Sequence, residues 1–175
     1  MKTLTLLRHA KSGWDDPVSR DFDRPLNPRG RRAARTVAKE MRRLGLGFDR
    51  VLASPARRVI ETIGEVAQVF GPIEPVYEPA VYLAAPEALL DLVRQVDDGV
   101  GRLLLVGHNP GLESLVLLLT APGALRDSAA EKYPTATLAE IALPAERWAD
   151  IREGKGELRR FIRPRDLDPE LGPED

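Results

Sequence analysis

The chain has no cysteine. That absence removes disulfide bridges, thiolate metal sites and a cysteine nucleophile together. Histidine is nearly as scarce, with two in 175 residues, too few for a histidine-rich metal centre. No metal and no cofactor is expected. Neither sign of charge is in excess: the formal net charge is −1, so nothing draws the whole molecule to nucleic acid or to an anionic membrane, and neither is an expected partner. No apolar run approaches the roughly 20 residues of a membrane-crossing helix. Met1 leads straight into a strand-like segment with no charged leader, so the expected compartment is the cytoplasm. There is no internal repeat and no linker long enough to divide domains.

What is present is ordinary for a globular chain: 43% hydrophobic and 30% charged residues, in a length that buries one core comfortably. A single domain is expected over residues 1–163. Residues 164–175, rich in Pro, Asp and Glu, are expected to form a loosely ordered tail.

The remaining signals alternate between strand and helix. A β-prone run from Thr3 to Leu7 stops at Arg8-His9. Residues 11–27 are polar and irregular, with Trp14 and aspartates at 15, 16 and 21, and form a natural wall beside Arg8-His9. Asn27 and Pro28 read as the cap and first residue of a helix whose apolar stripe is Ala33, Ala34, Val37, Ala38, Met41 and Leu44, ended by Gly45. Asp49–Ala53 reads as a strand. Ser54-Pro55 then reads as the cap and opening of a helix reaching Phe70, with Arg57 and Arg58 in its first turn. Cations there have the wrong sign for the helix dipole. They are either solvated or used to hold an anion, which the free amides of that turn also favour. A short strand at Pro75–Tyr77, a helix from Pro86, an apolar strand over Leu103–Val106, a helix over Leu112–Leu119 and strands over Leu138–Leu143 and Glu157–Ile162 complete the order.

Such alternation predicts an α/β fold: a three-layer sandwich with a mainly parallel central sheet and helices on both faces. In that fold the strand carboxyl ends open on one side, where ligands bind. Both histidines, His9 and His108, directly follow apolar strands, so Arg8, His9, Arg58 and His108 should converge there. Two guanidiniums, two imidazoles and free amides suit a multiply charged anion, and phosphate best of all.

These residues resemble a known family. Leu7-Arg8-His9-Ala10 is similar to the "RHG" signature of the histidine phosphatase superfamily, with Ala10 in place of the usual glycine. Ser54-Pro55-Ala56-Arg57-Arg58-Val59-Ile60-Glu61-Thr62 resembles its SPxxRxxQT motif, with Glu61 where glutamine is usual. Val106-Gly107-His108-Asn109-Pro110 resembles the third motif. The stretch from Asp23 to Gly30, Lys132-Tyr133-Pro134-Thr135 and Trp148 resemble the SixA-type phosphohistidine phosphatase branch.

The resemblance implies a phosphoglycerate mutase-like fold and a metal-independent hydrolase. A neutral His9 would take the phosphoryl group and water would release it. Arg8, Arg58 and His108 would stabilise the transferring group, and Arg24 would be a further phosphate contact. The expected substrate is phosphohistidine on a protein, in signal transduction. A phosphoramidate leaves as an easily protonated imidazole, and no general-acid motif is recognisable here. The rival enzymatic reading is a small phosphate ester, with Glu78 or an aspartate of the Trp14 loop as acid. A third reading, from a different class, is a non-catalytic module that binds a phosphoprotein. Neither the oligomeric state nor the role of Glu61 is readable.

Overall fold

The computed structural model describes residues 1–13 and 20–172. Six strands form one sheet: β1 (Lys2–Arg8), β2 (Arg50–Ala53), β3 (Val76–Tyr77), β4 (Arg102–Gly107), β5 (Leu138–Leu143) and β6 (Glu157–Ile162), in the order β3-β2-β4-β1-β5-β6. The pairs β3/β2, β2/β4 and β4/β1 are parallel, whereas β5 runs antiparallel to both β1 and β6. The sheet is mainly parallel, as the alternation predicts.

Burial on both faces explains the near-continuous apolar strands. On β4, Leu103 and Leu105 enter one core, and Leu104 and Val106 the other. The first core is covered by α3 (Pro86–Arg94), α4 (Gly111–Leu119) and α5 (Ala124–Glu131), and it includes the fully buried Trp148. The second is covered by α1 (Pro28–Arg43) and α2 (Arg57–Phe70), through Ala33, Ala34, Val37, Ala38, Met41, Val59, Ile63 and Val66. The α1 start is as its sequence predicts, with Asn27 Oδ1 accepting from the Gly30 amide at 2.7 Å. No helix among the described residues is long and apolar enough to cross a membrane.

Two expectations need correction, and one element is new. The helix after β2 begins at Arg57, with Ala56 as its cap residue, so Ser54-Pro55 precede it and Ser54 does not cap it. Ser54 is taken up elsewhere, by a histidine. The helix α5 lies between the two segments read from periodicity and had no clear pattern of its own. The expected loose tail is placed through Gly172: Pro164–Leu167 form a short helix, α6, and Leu171 is buried against the second core. Arg32 pairs with Asp168 and Glu170, and Arg29 donates to the Glu170 carbonyl. Apolar Leu167 and Leu171 in an otherwise polar segment supply the anchor that composition alone hides.

Candidate active site

The site grows from strand register. β1 and β4 pair in parallel with Arg8 opposite Gly107, so the next residue of each strand, His9 and His108, emerge side by side. The His9 amide donates to the Gly107 carbonyl at 3.0 Å, and the ring centroids are 5.3 Å apart. β2 lies on the other side of β4 with Ala53 opposite Val106, which brings Ser54 alongside. Two residues into α2, Arg58 reaches across both rings. The four residues expected to converge do so, although 100 positions separate Arg8 from His108.

Both imidazoles and the Arg58 guanidinium are buried. His9 Nδ1 lies 2.7 Å from the Ala10 carbonyl oxygen, which can only accept, so Nδ1 carries the proton. Nε2 is then a lone pair, and it accepts from Arg58 Nε at 3.3 Å. Arg58 Nη2 lies 3.3 Å from His108 Nδ1, and a guanidinium only donates. That leaves His108 Nε2–H to donate to Ser54 Oγ at 2.7 Å. Ser54 also accepts from the Ala56 amide at 3.2 Å. Its hydroxyl therefore fixes the ring of His108, a positioning role hidden while it read as a helix cap.

Burial is the largest cause holding the proton affinity of His9 well below the ordinary histidine value, with smaller contributions from the charges of His108, Arg58 and Arg8; the Ala10 carbonyl opposes them. His108 is pushed down to about 3, again first by burial and then by Arg58. The guanidiniums do favour neutral imidazoles, but desolvation does more.

Arg8 is steered by the chain after α5: its Nη1 donates to the Tyr133 carbonyl at 3.0 Å, which also accepts from Asn109 Nδ2 at 3.0 Å. The Tyr133 hydroxyl donates to the Leu6 carbonyl at 3.0 Å, pinning that segment to β1. The Ala10 methyl is fully buried in the second core, and its amide donates to Thr62 Oγ1 at 2.9 Å. The extra methyl is accommodated without a left-handed backbone.

Arg24 is buried and linked to this cluster through Asp21, whose Oδ1 accepts from Arg24 Nε at 3.2 Å. In the sequence Asp21 reads as part of the wall loop, but its bond to Arg58 depends on the tertiary fold. Nothing in the sequence marked Tyr82, whose hydroxyl donates to Asp21 Oδ2 and whose ring stands edge-on to His108 at 5.3 Å. Trp14, Asp15 and Asp16 lie outside the described residues.

Glu61 turns away from the histidines. Its carboxylate accepts from the Leu26 amide at 2.9 Å and pairs with Arg31 and Arg57. Glu78 caps its own turn through the Ala80 amide at 3.1 Å, and Glu87 is exposed on the first turn of α3. Burial raises the Asp21 proton affinity, but the Tyr82 hydrogen bond and the Arg58 charge outweigh it and hold the carboxyl below its usual range. The Asp21 carboxyl beside Arg58 is thus favoured in its ionised form.

Comparison with known proteins agrees with this geometry. The family model of the histidine phosphatase superfamily (branch 1) matches residues 4–81. The uncharacterized protein Rv1276c of Mycobacterium tuberculosis is 34% identical over 163 residues, spanning 91% of this chain and 100% of that protein. A candidate phosphohistidine phosphatase SixA of Agrobacterium tumefaciens superposes with a TM-score of 0.78 at 30% identity, over 92% of this chain and 97% of that one. A second such protein, from Nakamurella multipartitia, superposes with a TM-score of 0.79 at 27% identity, over 93% and 96%. With two histidines carried side by side on parallel strands and an arginine laid across them, the chain belongs to the histidine phosphatase superfamily, in its SixA-type branch.

Proposed function

We propose that this protein is a phosphatase that works through a phosphohistidine on His9 and removes the phosphoryl group from phosphohistidine on a protein. The observation that carries the reading is the tautomer of His9: Nδ1–H is tied to the Ala10 carbonyl, and the Nε2 lone pair faces the Arg58 guanidinium. A lone pair aimed at a cation is where an electrophilic phosphorus bearing anionic oxygens would be drawn.

In the first step Nε2 forms a bond to phosphorus while the bond to the leaving imidazole breaks, and that imidazole takes a proton from water. In the second, water attacks phosphorus, the bond to Nε2 breaks and phosphate leaves. The water's proton passes to solvent. Arg8, Arg58 and His108 offset the charge on the equatorial oxygens, with Arg24 contributing from behind Asp21. Incoming phosphoryl charge raises the proton affinity of His108, and its Ser54-backed ring then presents Nδ1 as a donor.

A substrate with a good leaving group is supported by the candidate carboxylates among the described residues. Glu78 is used as a cap, Glu61 is paired away from the rings, and Asp21 is held ionised. An alkoxide needs a placed acid worth roughly 10²–10⁴ in rate, and a phosphoramidate needs it far less.

The test compares turnover of a phosphohistidine peptide with that of aryl and sugar phosphates, together with trapping of labelled phosphate on protein. Preference for the peptide, with label on the wild type and none on His9→Ala, is expected. Preference for alkyl phosphates would overturn the substrate, and tight phosphoprotein binding without turnover would make the chain a binding module.

A further inference from the structure

The Arg58 guanidinium is engaged before any substrate arrives. Besides the two histidine nitrogens, it donates from Nη1 to the Asp21 carbonyl oxygen at 2.7 Å and from Nη2 to Asp21 Oδ2 at 3.1 Å. The same carboxylate takes the Tyr82 hydroxyl on Oδ2 and Arg24 Nε on Oδ1 at 3.2 Å. Two guanidiniums and a hydroxyl thus converge on one anionic group beside the nucleophile. An oxyanion of phosphorus would seek that same donor set.

We propose that Asp21 is the internal counter-ion of the phosphoryl site: it occupies the Arg58 donors in the empty enzyme, is displaced by the phosphoryl group, and weakens retention of the phosphate product. The proposal rests on the reading of Arg58 as a phosphoryl-binding residue. A phosphoryl group reaching His9 Nε2 must enter where Arg58 Nε now lies, 3.3 Å away. It cannot share that guanidinium with the Asp21 carboxylate without placing like charges side by side. The carboxylate has somewhere to go. It sits on a three-residue 3₁₀ turn, Asp21–Asp23, with 36% of its side chain exposed, while Arg58 is 3% exposed and fixed in α2. After hydrolysis the same carboxylate can reclaim its donors and offset the binding of phosphate, which matters because product release often limits turnover.

The alternative role is a positioning one, in which Asp21 merely holds Arg58 in place. The two differ in sign. Titration calorimetry with inorganic phosphate on the full chain separates them. For Asp21→Asn the expected result is binding about tenfold tighter than wild type, equivalent to about 1.4 kcal/mol. Tyr82→Phe, which keeps the charge but removes one hydrogen bond holding the carboxylate in place, should bind roughly tenfold tighter, the scale of losing one hydrogen bond to a charged group. Arg58→Ala should lose binding. Unchanged or weaker binding by Asp21→Asn and Tyr82→Phe, with Arg58→Ala still defective, overturns the counter-ion role while leaving Arg58 as a phosphoryl ligand. Phosphate binding that is absent from the wild type, or indifferent to Arg58→Ala, overturns both.

Discussion

Burial, more than the neighbouring guanidiniums, keeps the two catalytic candidates uncharged, and this has consequences for pH. His9 and His108 both protonate less readily than free histidine, His108 only at about 3. The acid limb of kcat/KM, which reports the free enzyme, should therefore lie well below pH 6.5; a limb at or above that value would show that His9 is not the ionising nucleophile. Stability should follow the same residues. Each folded-state value lies below the unfolded one, so below pH about 6.5 the unfolded chain binds more protons than the native one. Stability is then lost as pH falls through that window toward the folded values. Urea titrations from pH 7 to 4 should show a shallower loss for His108→Asn than for wild type. Removing a transition-state donor has a larger catalytic effect: Arg58→Ala should lower kcat by about 10²–10³, read from single-turnover rates.

At the scale of elements, α1 and α2 hold the site by close backbone approach on one side and by an open surface on the other. A Cβ on Gly30 would lie 2.1 Å from the Lys11 carbonyl oxygen, in the loop that leaves His9. Gly30→Ala should therefore cost about 1–3 kcal/mol, the range for overpacking, and disturb activity as well. Gly64, on the exposed face of α2, has nothing within 4 Å of an added Cβ. Gly64→Ala should stabilise by about 0.5–1 kcal/mol with activity unchanged. Denaturant midpoints and turnover on the same preparations check both. The element boundaries show where sequence reading worked. Asn27-Pro28 opens α1 as a cap and a first-turn proline should, because capping is local chemistry. Ser54-Pro55 carries the same local signal, yet the helix starts two residues after that proline, at Arg57. The Ser54 hydroxyl instead accepts from the Ala56 amide two residues on and from His108, and the second is a long-range contact that no local pattern encodes.

For the whole molecule, the sheet brings together residues from β1, β2 and β4, while the C-terminal segment closes over α1. Truncation after Arg163 would uncover the α1 surface now covered by Leu167 and Leu171, and would remove the Arg32 pairs with Asp168 and Glu170. The expected outcome is a lower denaturant midpoint with the α/β circular dichroism spectrum retained. The sequence by itself determined the mainly parallel α/β class and the convergence of Arg8, His9, Arg58 and His108. Strand and helix periodicities are local, and a parallel sheet sends every strand's carboxyl end to one side. The tertiary structure alone decided which atoms meet: the His9 tautomer set by Ala10, the ring of His108 backed by Ser54, Arg8 steered by Tyr133, and Asp21 set against Arg58 with Tyr82 behind it. Those contacts depend on side-chain reach across register and loop packing, and neither composition nor spacing along the chain carries that information.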